Sequence, residues 1–541
     1  MSELQLSTYQ QNIMDAFDNT QDNLFISALA GTGKTFTLVE LSKHITDKSK
    51  KAVFIAFNKS IQLELSNKIT NPIFKTYTFN ALGYCILLKN AELQKIKVSL
   101  DTYKTNHIVY NITKNHFTAY DFESKYEIIN DLMTLWELCK VKDVDLSSIQ
   151  GVKKVIAINN LFVGLNDLDE VYTVLLEIKQ ENMRLFEEEG IINFSDQIYI
   201  TLHKLQSHEW FVPPYLKFDY IFGDEVQDWN RVQQLLSMYI RKPNCRIILV
   251  GDRNQAIYAF NGADGNSFDN LKRLYNTKEL SLPINYRCPS SHLNYVNKQF
   301  KDIHILPRPK APMGDIFYIN YDEIAYFAQI GDFIISRKNS DLCQVSLDLL
   351  AQNKPIYIKD TDLVKKVLKL IERIKKSSMN LTDFKRNLKR TQKDYSDKLK
   401  KQTEKQIEEG TLDEEKLEQY NFSDGKVDVL NCVRILVNNF AERYGTKAKL
   451  EHFIPYVEQM LNTTKPKDCI ICTSIHQAKG LEANNVFVLN NGRPFVELSR
   501  NNIQRQQENN LSYVALTRAK QHLYLVASKE SEDLLDESEK F

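Results

Sequence analysis

FISALAGTGKTFTLVEL, residues 25–41, is the stretch that decides the fold. It opens on an apolar run short enough for a buried strand, ends with apolar residues at helical spacing, and is broken in the middle by Gly31 and Gly33. Strand, turn and helix in that order can hold a phosphate. The backbone N–H groups of residues 30–35 would wrap a polyphosphate, because the two glycines tolerate the turn and let the ligand approach. Ala30, Gly31, Thr32, Gly33, Lys34, Thr35 and Phe36 are therefore candidate nucleotide-binding residues. Lys34 would reach the β- and γ-phosphates, and the Thr35 hydroxyl would hold Mg²⁺. The strict GxxxxGK(S/T) pattern places glycine at position 28, where this chain has Ala28.

Other apolar runs extend the same architecture. KAVFIAF (51–57), FDYIFGDE (218–225) and CRIILVGD (245–252) read as buried parallel strands with small or acidic groups at their carboxyl ends, where open α/β sheets place ligands. GDFIISRKN (331–339), DCIICTSIH (468–476), NNVFVLN (484–490) and HLYLVAS (522–528) form a second set, so two α/β cores are expected. Between the runs, residues 85–190 and 362–462 lack strand alternation and read as helical.

In FDYIFGDEVQD the strand runs into Asp224, which can hold Mg²⁺, and Glu225, which can orient and deprotonate an attacking water. With the glycine turn this describes an ATP- or GTP-hydrolysing core. VGDRNQAIYAFNGAD ends another strand with Asp252 and Gln255, followed by Tyr258 and Phe260. LPINYRCP supplies Tyr286 beside Arg287, and YVALTRAK supplies Arg518. Cations facing a transferring phosphoryl group lower its barrier, by about 10³ to 10⁵ in rate where arginine fingers act.

Composition sets the outer limits. A chain of 541 residues exceeds one core and points to about three or four domains. No apolar run approaches the roughly 18 to 20 residues of a membrane span, and the N-terminal residues lack a signal-peptide profile, so a cytoplasmic location is expected, nucleoid-associated in a bacterium or phage-infected cell and nuclear in a eukaryote. Eight scattered cysteines do not form a disulfide framework; Cys469 and Cys472 have CxxC spacing but lie in an apolar run with no second pair, which disfavours a metal site. The net charge is +1, yet residues 365–406 carry 15 Lys/Arg against 5 Asp/Glu. Such a stretch is a solvated helical face or a phosphate contact.

The order of motifs resembles the UvrD/Rep/PcrA-type superfamily 1A DNA helicases, and more closely their F-box-helicase-like branch. The resemblance rests on LSTYQ, AGTGKT, AFNKS, TFNALG, NFSDQI, GDEVQD, GDRNQAIYAFNGA, NYRCP, SIHQAKGLE and ENNLSYVALTRAK, and runs over nearly the whole chain. It implies an α/β fold of two RecA-like P-loop domains, each a parallel sheet with flanking helices interrupted by a mainly helical insertion. The first would comprise residues 1–84 and 195–280 around an insertion at 85–194, and the second residues 281–361 and 463–541 around a reduced insertion at 362–462.

The resemblance also implies roles. Gln10 would read adenine, Tyr286 stack on it, and Gly480 and Glu482 join the nucleotide site, Glu482 at the ribose. Gln255 would sense the γ-phosphate, and Arg287 and Arg518 would face it. Together with Lys34 and Glu225 these form the catalytic set. Phe57, Asn58, Lys59, Thr78, Phe79, Tyr258, Phe260, Asn261 and His476 would lie along single-stranded DNA, where aromatic rings stack on bases for about 1 to 3 kcal/mol each. The alternative is that Phe57, Phe79 and Phe260 are core aromatics. Asn80 and Asn261 replace the His and Arg common in the family.

The expected function is an ATP- and Mg²⁺-dependent 3′→5′ translocase and helicase acting on single-stranded DNA and tailed duplexes. A protein partner could dock on either insertion, and the nuclease domain of helicase/nuclease relatives is expected to be absent. The alternatives are a DNA-stimulated ATPase that strips proteins from DNA or powers a partner, and a P-loop enzyme indifferent to nucleic acid.

Overall fold

The FISA segment forms most of a strand, β1 (Leu24–Ala28), in the computed structural model of the chain, which describes residues 6–159, 161–162, 165, 167–258, 266–359, 361–375, 379–408, 425–461, 467–492 and 502–527. The chain forms two compact units, Met1–Pro283 and Ile284–Phe541.

In the first unit β2 (Ala52–Ala56), β3 (Phe74–Thr78), β6 (Phe218–Gly223), β7 (Arg241–Gly251) and β8 (Lys278–Leu282) join β1 in one sheet of order β3-β2-β6-β7-β1-β8, every pair parallel. Two short strands, β4 (Ser99–Leu100) and β5 (Ile191–Ile192), pair separately. Side chains alternate across the sheet as the two-residue strand repeat requires. Leu24, Ile26, Phe54, Ile248 and Val250 bury one face under the helices Thr8–Asn19 and Lys34–Lys43. Phe25, Val53, Ile55, Ile247 and Leu249 bury the other.

That second face does not end at the sheet. Its apolar cluster continues through Phe79 and Trp229 into Leu132, Trp136, Ile178 and Phe186, which lie on the helices of the insertion. The helix Phe79–Leu93 crosses the expected boundary at residues 84 and 85 without a break and packs on Asp196–Gln206. The insertion thus shares a core with its own sheet. β8 also carries the sheet to Leu282, beyond residue 280.

The second unit holds a sheet of order β11-β16-β15-β12-β14-β13, again wholly parallel, from β11 (Asp315–Ile319), β12 (Phe333–Ser336), β13 (Ile356–Ile358), β14 (Ile470–Ser474), β15 (Ala483–Val488) and β16 (Ala519–Val526). A short pair, β9 (Ile284–Asn285) and β10 (Leu306–Pro307), lies apart. Its insertion is helical where described. There Leu381, Phe384, Leu388, Tyr395 and Leu399 bury one face of the helix Leu381–Glu408, and Arg386, Lys389, Arg390, Lys393 and Lys400 take the exposed one. The insertion is tied to the sheet unit by Asp428, whose carboxylate accepts the Asn339 and Ser340 N–H groups at 2.8 and 3.0 Å and so caps the helix Asn339–Ala351. Among the described residues no helix is long and apolar enough to cross a membrane.

Candidate functional site

At the carboxyl end of β1, Gly31 and Gly33 take φ of 66° and 78°, the left-handed region that the turn requires. Gly33 precedes the helix Lys34–Lys43, whose first turn has no side-chain cap, so its N–H groups face the turn as a helix N-terminus offers them to an anion. Ala30 and Thr32 are buried, the Thr32 hydroxyl donating to the Leu29 carbonyl at 2.9 Å, while Phe36 is half-buried. Gln10 lies against the same helix. Its Nε2 donates to Thr37 Oγ1 at 3.2 Å, and its Oε1 accepts the Ser7 N–H at 3.0 Å in a capping box.

Two strands away the acidic pair meets the loop. Thr35 Oγ1 donates to Asp224 Oδ2 at 3.0 Å, and Lys34 Nζ lies 3.4 Å from Glu225 Oε1. Burial alone would lower the Lys34 pKa, but Glu225, Asp252 and Asp224 outweigh it and hold it above its ordinary value. Burial, and next the Glu225 charge, push the Asp224 carboxyl up despite Lys34. Two hard oxygens side by side at Thr35 and Asp224 fit an Mg²⁺ ion, which takes oxygen ligands.

Glu225 stands in the left-handed region at φ 49°, and its Oε2 accepts the Gln227 Nε2. Gln227 Oε1 in turn accepts the Asp252 N–H at 3.0 Å, and Asp252 Oδ2 accepts Gln255 Nε2 at 2.7 Å. The ends of β1, β6 and β7 are thereby linked through side chains from Lys34 to Gln255.

The same unit brings the expected DNA residues to neighbouring strand ends. Phe57 and Tyr258 form a stacked pair, ring centroids 5.8 Å apart at 15°, with Phe57 37% exposed. Asn58 caps the helix Lys59–Lys68 through the Ile61 N–H, Lys59 is exposed beside Gln62, and Thr78 caps Phe79–Leu93 through the Ala81 N–H. Phe79 departs from expectation: it is 3% exposed with its ring edge-on to Trp229, because the first turn of its helix faces the core, and it is a packing residue. Asn80 donates to the Phe194 carbonyl at 2.9 Å, and Phe194 leaves over half its surface exposed beside it. Phe260 and Asn261 lie outside the described residues.

In the second unit Tyr286 is exposed and Arg287 Nε bonds Glu482 Oε2 at 2.6 Å, with Lys520 Nζ at 3.0 Å from the other oxygen. Burial would raise the Glu482 pKa, but Lys520 and Arg287 hold it below its ordinary value. The carboxylate expected at a ribose is thus bound by two cations. Arg287 Nη1 also reaches the Thr517 carbonyl at 3.3 Å. Arg518 is buried, donating to the Val514 and Leu481 carbonyls and the Thr517 hydroxyl. Gly480 takes φ 80° with open space where a Cβ would stand. His476 is half-buried, and burial, reinforced by Arg337 and Lys479, pushes its pKa down to about 3, so it is neutral.

Two groups escaped sequence reasoning. Gln227 lies inside a quoted motif but gave no charge or aromatic signal. The other is a buried ionic cluster. Asp196 accepts Lys104 Nζ at 2.8 Å and Lys140 Nζ at 3.2 Å, and Glu137 accepts Lys140, Thr105 and Ser195. These partners are too far apart in sequence to be read as a pattern, although Asn193–Asp196 falls in the quoted NFSDQI.

A family model for the UvrD/REP helicase N-terminal domain matches residues 7–276, and one for the UvrD-like helicase C-terminal domain matches residues 470–526. The chain is 26% identical over 551 residues to F-box DNA helicase protein 1 of Schizosaccharomyces pombe, covering 96% of this chain and 57% of that protein. It is 24% identical to F-box DNA helicase 1 of Gallus gallus, covering 98% and 50%, and 23% identical to the ATP-dependent DNA helicase Rep of Buchnera aphidicola, covering 61% and 47%. The chain therefore spans about half the length of these relatives.

Proposed function

Because this chain belongs to the UvrD/REP helicase family, we propose that it is an ATP-dependent DNA helicase that moves 3′→5′ along single-stranded DNA and opens tailed duplexes. The observation that carries the reading is the run of contacts from Lys34 and Thr35 through Asp224, Glu225 and Asp252 to Gln255, a few residues from the stacked pair of exposed Phe57 and half-buried Tyr258. Phosphate chemistry and a base-stacking surface lie on one sheet end.

In this reading the turn and Lys34 hold the polyphosphate, Gln10 sits beside it to meet the base, and Glu225 takes a proton from the attacking water. Thr35 and Asp224 would hold Mg²⁺, which would neutralise phosphate charge. Arg287 and Arg518 of the second RecA-like domain would stabilise the transferring phosphoryl, with Tyr286 on the base, making hydrolysis depend on domain closure. Phe57 and Tyr258 would take bases on their ring faces, and Asn58, Lys59, Thr78 and the neutral His476 would line the strand without reading its sequence. Phe194, absent from the expected set, has the exposure and position to join them. Such a protein would work where DNA is, in a nucleoid or nucleus.

The test is ATP turnover with and without single-stranded DNA, for wild type and Glu225→Gln, beside unwinding of duplexes with a 3′ or a 5′ tail. DNA-stimulated turnover lost in Glu225→Gln, with opening from the 3′ tail alone, is expected. Turnover indifferent to DNA would overturn the proposal, and stimulation without strand opening would leave a motor that strips proteins or powers a partner.

A further inference from the structure

The side chain of Gln227 spans the gap between two functional turns. It is 1% exposed, and both ends of its amide are engaged, Nε2 with the Glu225 carboxylate and Oε1 with the Asp252 N–H. A backbone N–H can only donate, so the amide oxygen must face Asp252 and the NH₂ must face Glu225. The orientation is thus dictated by chemistry. The slot is also cut to shape, since a Cβ on Gly251 would lie 2.5 Å from Gln227 Oε1, 3.0 Å from Val226 and 3.1 Å from Phe268.

We propose that Gln227 is a positioning residue for hydrolysis, holding the Glu225 carboxylate in line with the attacking water and tying that position to the Asp252–Gln255 turn. The inference rests on the ATPase reading above. Lys34 Nζ, 3.4 Å from the other Glu225 oxygen, is the group that must serve the phosphates during turnover, and a carboxylate that shares its cation with the substrate needs a second holder. The amide fills that role without charge, so it does not compete for phosphate. Because its other end is on Asp252, whose carboxylate receives Gln255, a shift of that turn reaches Glu225 through one side chain. Glu225 is the catalytic residue; Gln227 acts through it.

The experiment compares Gln227→Met, which keeps length and loses both hydrogen bonds, with Gln227→Glu, which keeps an acceptor for the Asp252 N–H and loses the donor to Glu225. Steady-state kcat and KM for ATP are measured with saturating single-stranded DNA, and nucleotide affinity is read from a fluorescent ADP analogue. Both variants are expected to lose about 10- to 100-fold in kcat, the scale of a misplaced catalytic group, while KM and ADP affinity stay within about threefold, as for an interaction made only in the transition state. A purely structural role would weaken nucleotide binding and stability together. Either variant retaining kcat within twofold of wild type overturns the inference, as does a KM that rises in step with the loss. Should Gln227→Met fail to fold, Gln227→Glu decides alone. Wild type inert towards ATP would sink the ATPase reading itself; active wild type, inactive Glu225→Gln and active Gln227 variants would sink the positioning role only.

Discussion

Gly223 has no room for a side chain. A Cβ there would lie 2.6 and 2.7 Å from the Trp229 ring and 2.8 Å from Leu249, all rigidly packed beneath the acidic pair. Gly223→Ala is therefore expected to lower stability by about 1–3 kcal/mol through overpacking, read as a shift of the urea midpoint at unchanged slope. The two phenylalanines that looked alike in sequence part at this scale. Phe57→Ala should weaken single-stranded DNA binding by about 1 to 3 kcal/mol and leave the thermal midpoint nearly unmoved. Phe79→Ala, in the core against Trp229, should cost about 3–5 kcal/mol of stability. Calorimetry and fluorescence anisotropy on both variants separate the cases, and a DNA defect without destabilisation in Phe79→Ala would return that ring to the DNA face. Each Phe stands just after a β-strand in a motif, so sequence could not tell them apart; the difference is that Phe79 opens its helix, whose first turn faces the core, while Phe57 lies before the cap of the next helix and stays exposed.

The strands show what a sequence can disclose. Every run identified as a strand from its continuous apolar character is interior to one of the two large sheets: β1, β2, β6 and β7 in the first, β12, β14, β15 and β16 in the second. The four strands of these two sheets that went unread, β3, β8, β11 and β13, are their four edges. Edge strands are half-solvated, so FKTYT and KELSL mix charged and apolar residues and give no buried-strand signal. The polar cluster between the helical insertion and the helix Asp196–Gln206 was hidden for another reason, since Lys104, Lys140 and Asp196 meet only after three helices have packed. Burial would raise the Asp196 pKa, but Lys140 and Lys104 hold it below its ordinary 3.8. A depressed carboxylate contributes stability present above the unfolded value and lost as pH falls through the folded one. The cluster should thus leave stability flat near neutrality and withdraw its contribution below about pH 4. Lys140→Met leaves the buried Asp196 carboxylate short of a cation and should cost about 3–5 kcal/mol, with acid unfolding beginning at higher pH. Denaturant titrations at pH 7 and pH 4 check both statements, and an unshifted acid onset in the variant would show that Lys140 does not set the Asp196 charge.

At the scale of the whole molecule the two units keep their strands to themselves. Among the described residues β1–β8 pair only with one another, as do β9–β16, and the two apolar clusters that flank the first sheet are built from residues before 283. A fragment of residues 1–283 should therefore fold alone and unfold in one cooperative transition. It carries the glycine turn, Lys34, Thr35, Asp224, Glu225 and Gln227, which is everything proposed to hold phosphate and activate water. An ATP analogue at about 100 times its dissociation constant should stabilise it by about 2.7 kcal/mol, an effect lost in Lys34→Ala. Turnover is another matter. Arg287 and Arg518 belong to the second unit, and if they face the transferring phosphoryl, their removal should cost the fragment about 10³ to 10⁵ in rate while binding survives. The comparison is scanning calorimetry with and without the analogue, beside phosphate release from the fragment and the full chain. Binding with turnover lost would place the chemistry's cations in the second unit; a fragment that hydrolyses ATP at the full-chain rate would remove both arginines from the reaction and leave Lys34 as the cation that carries it.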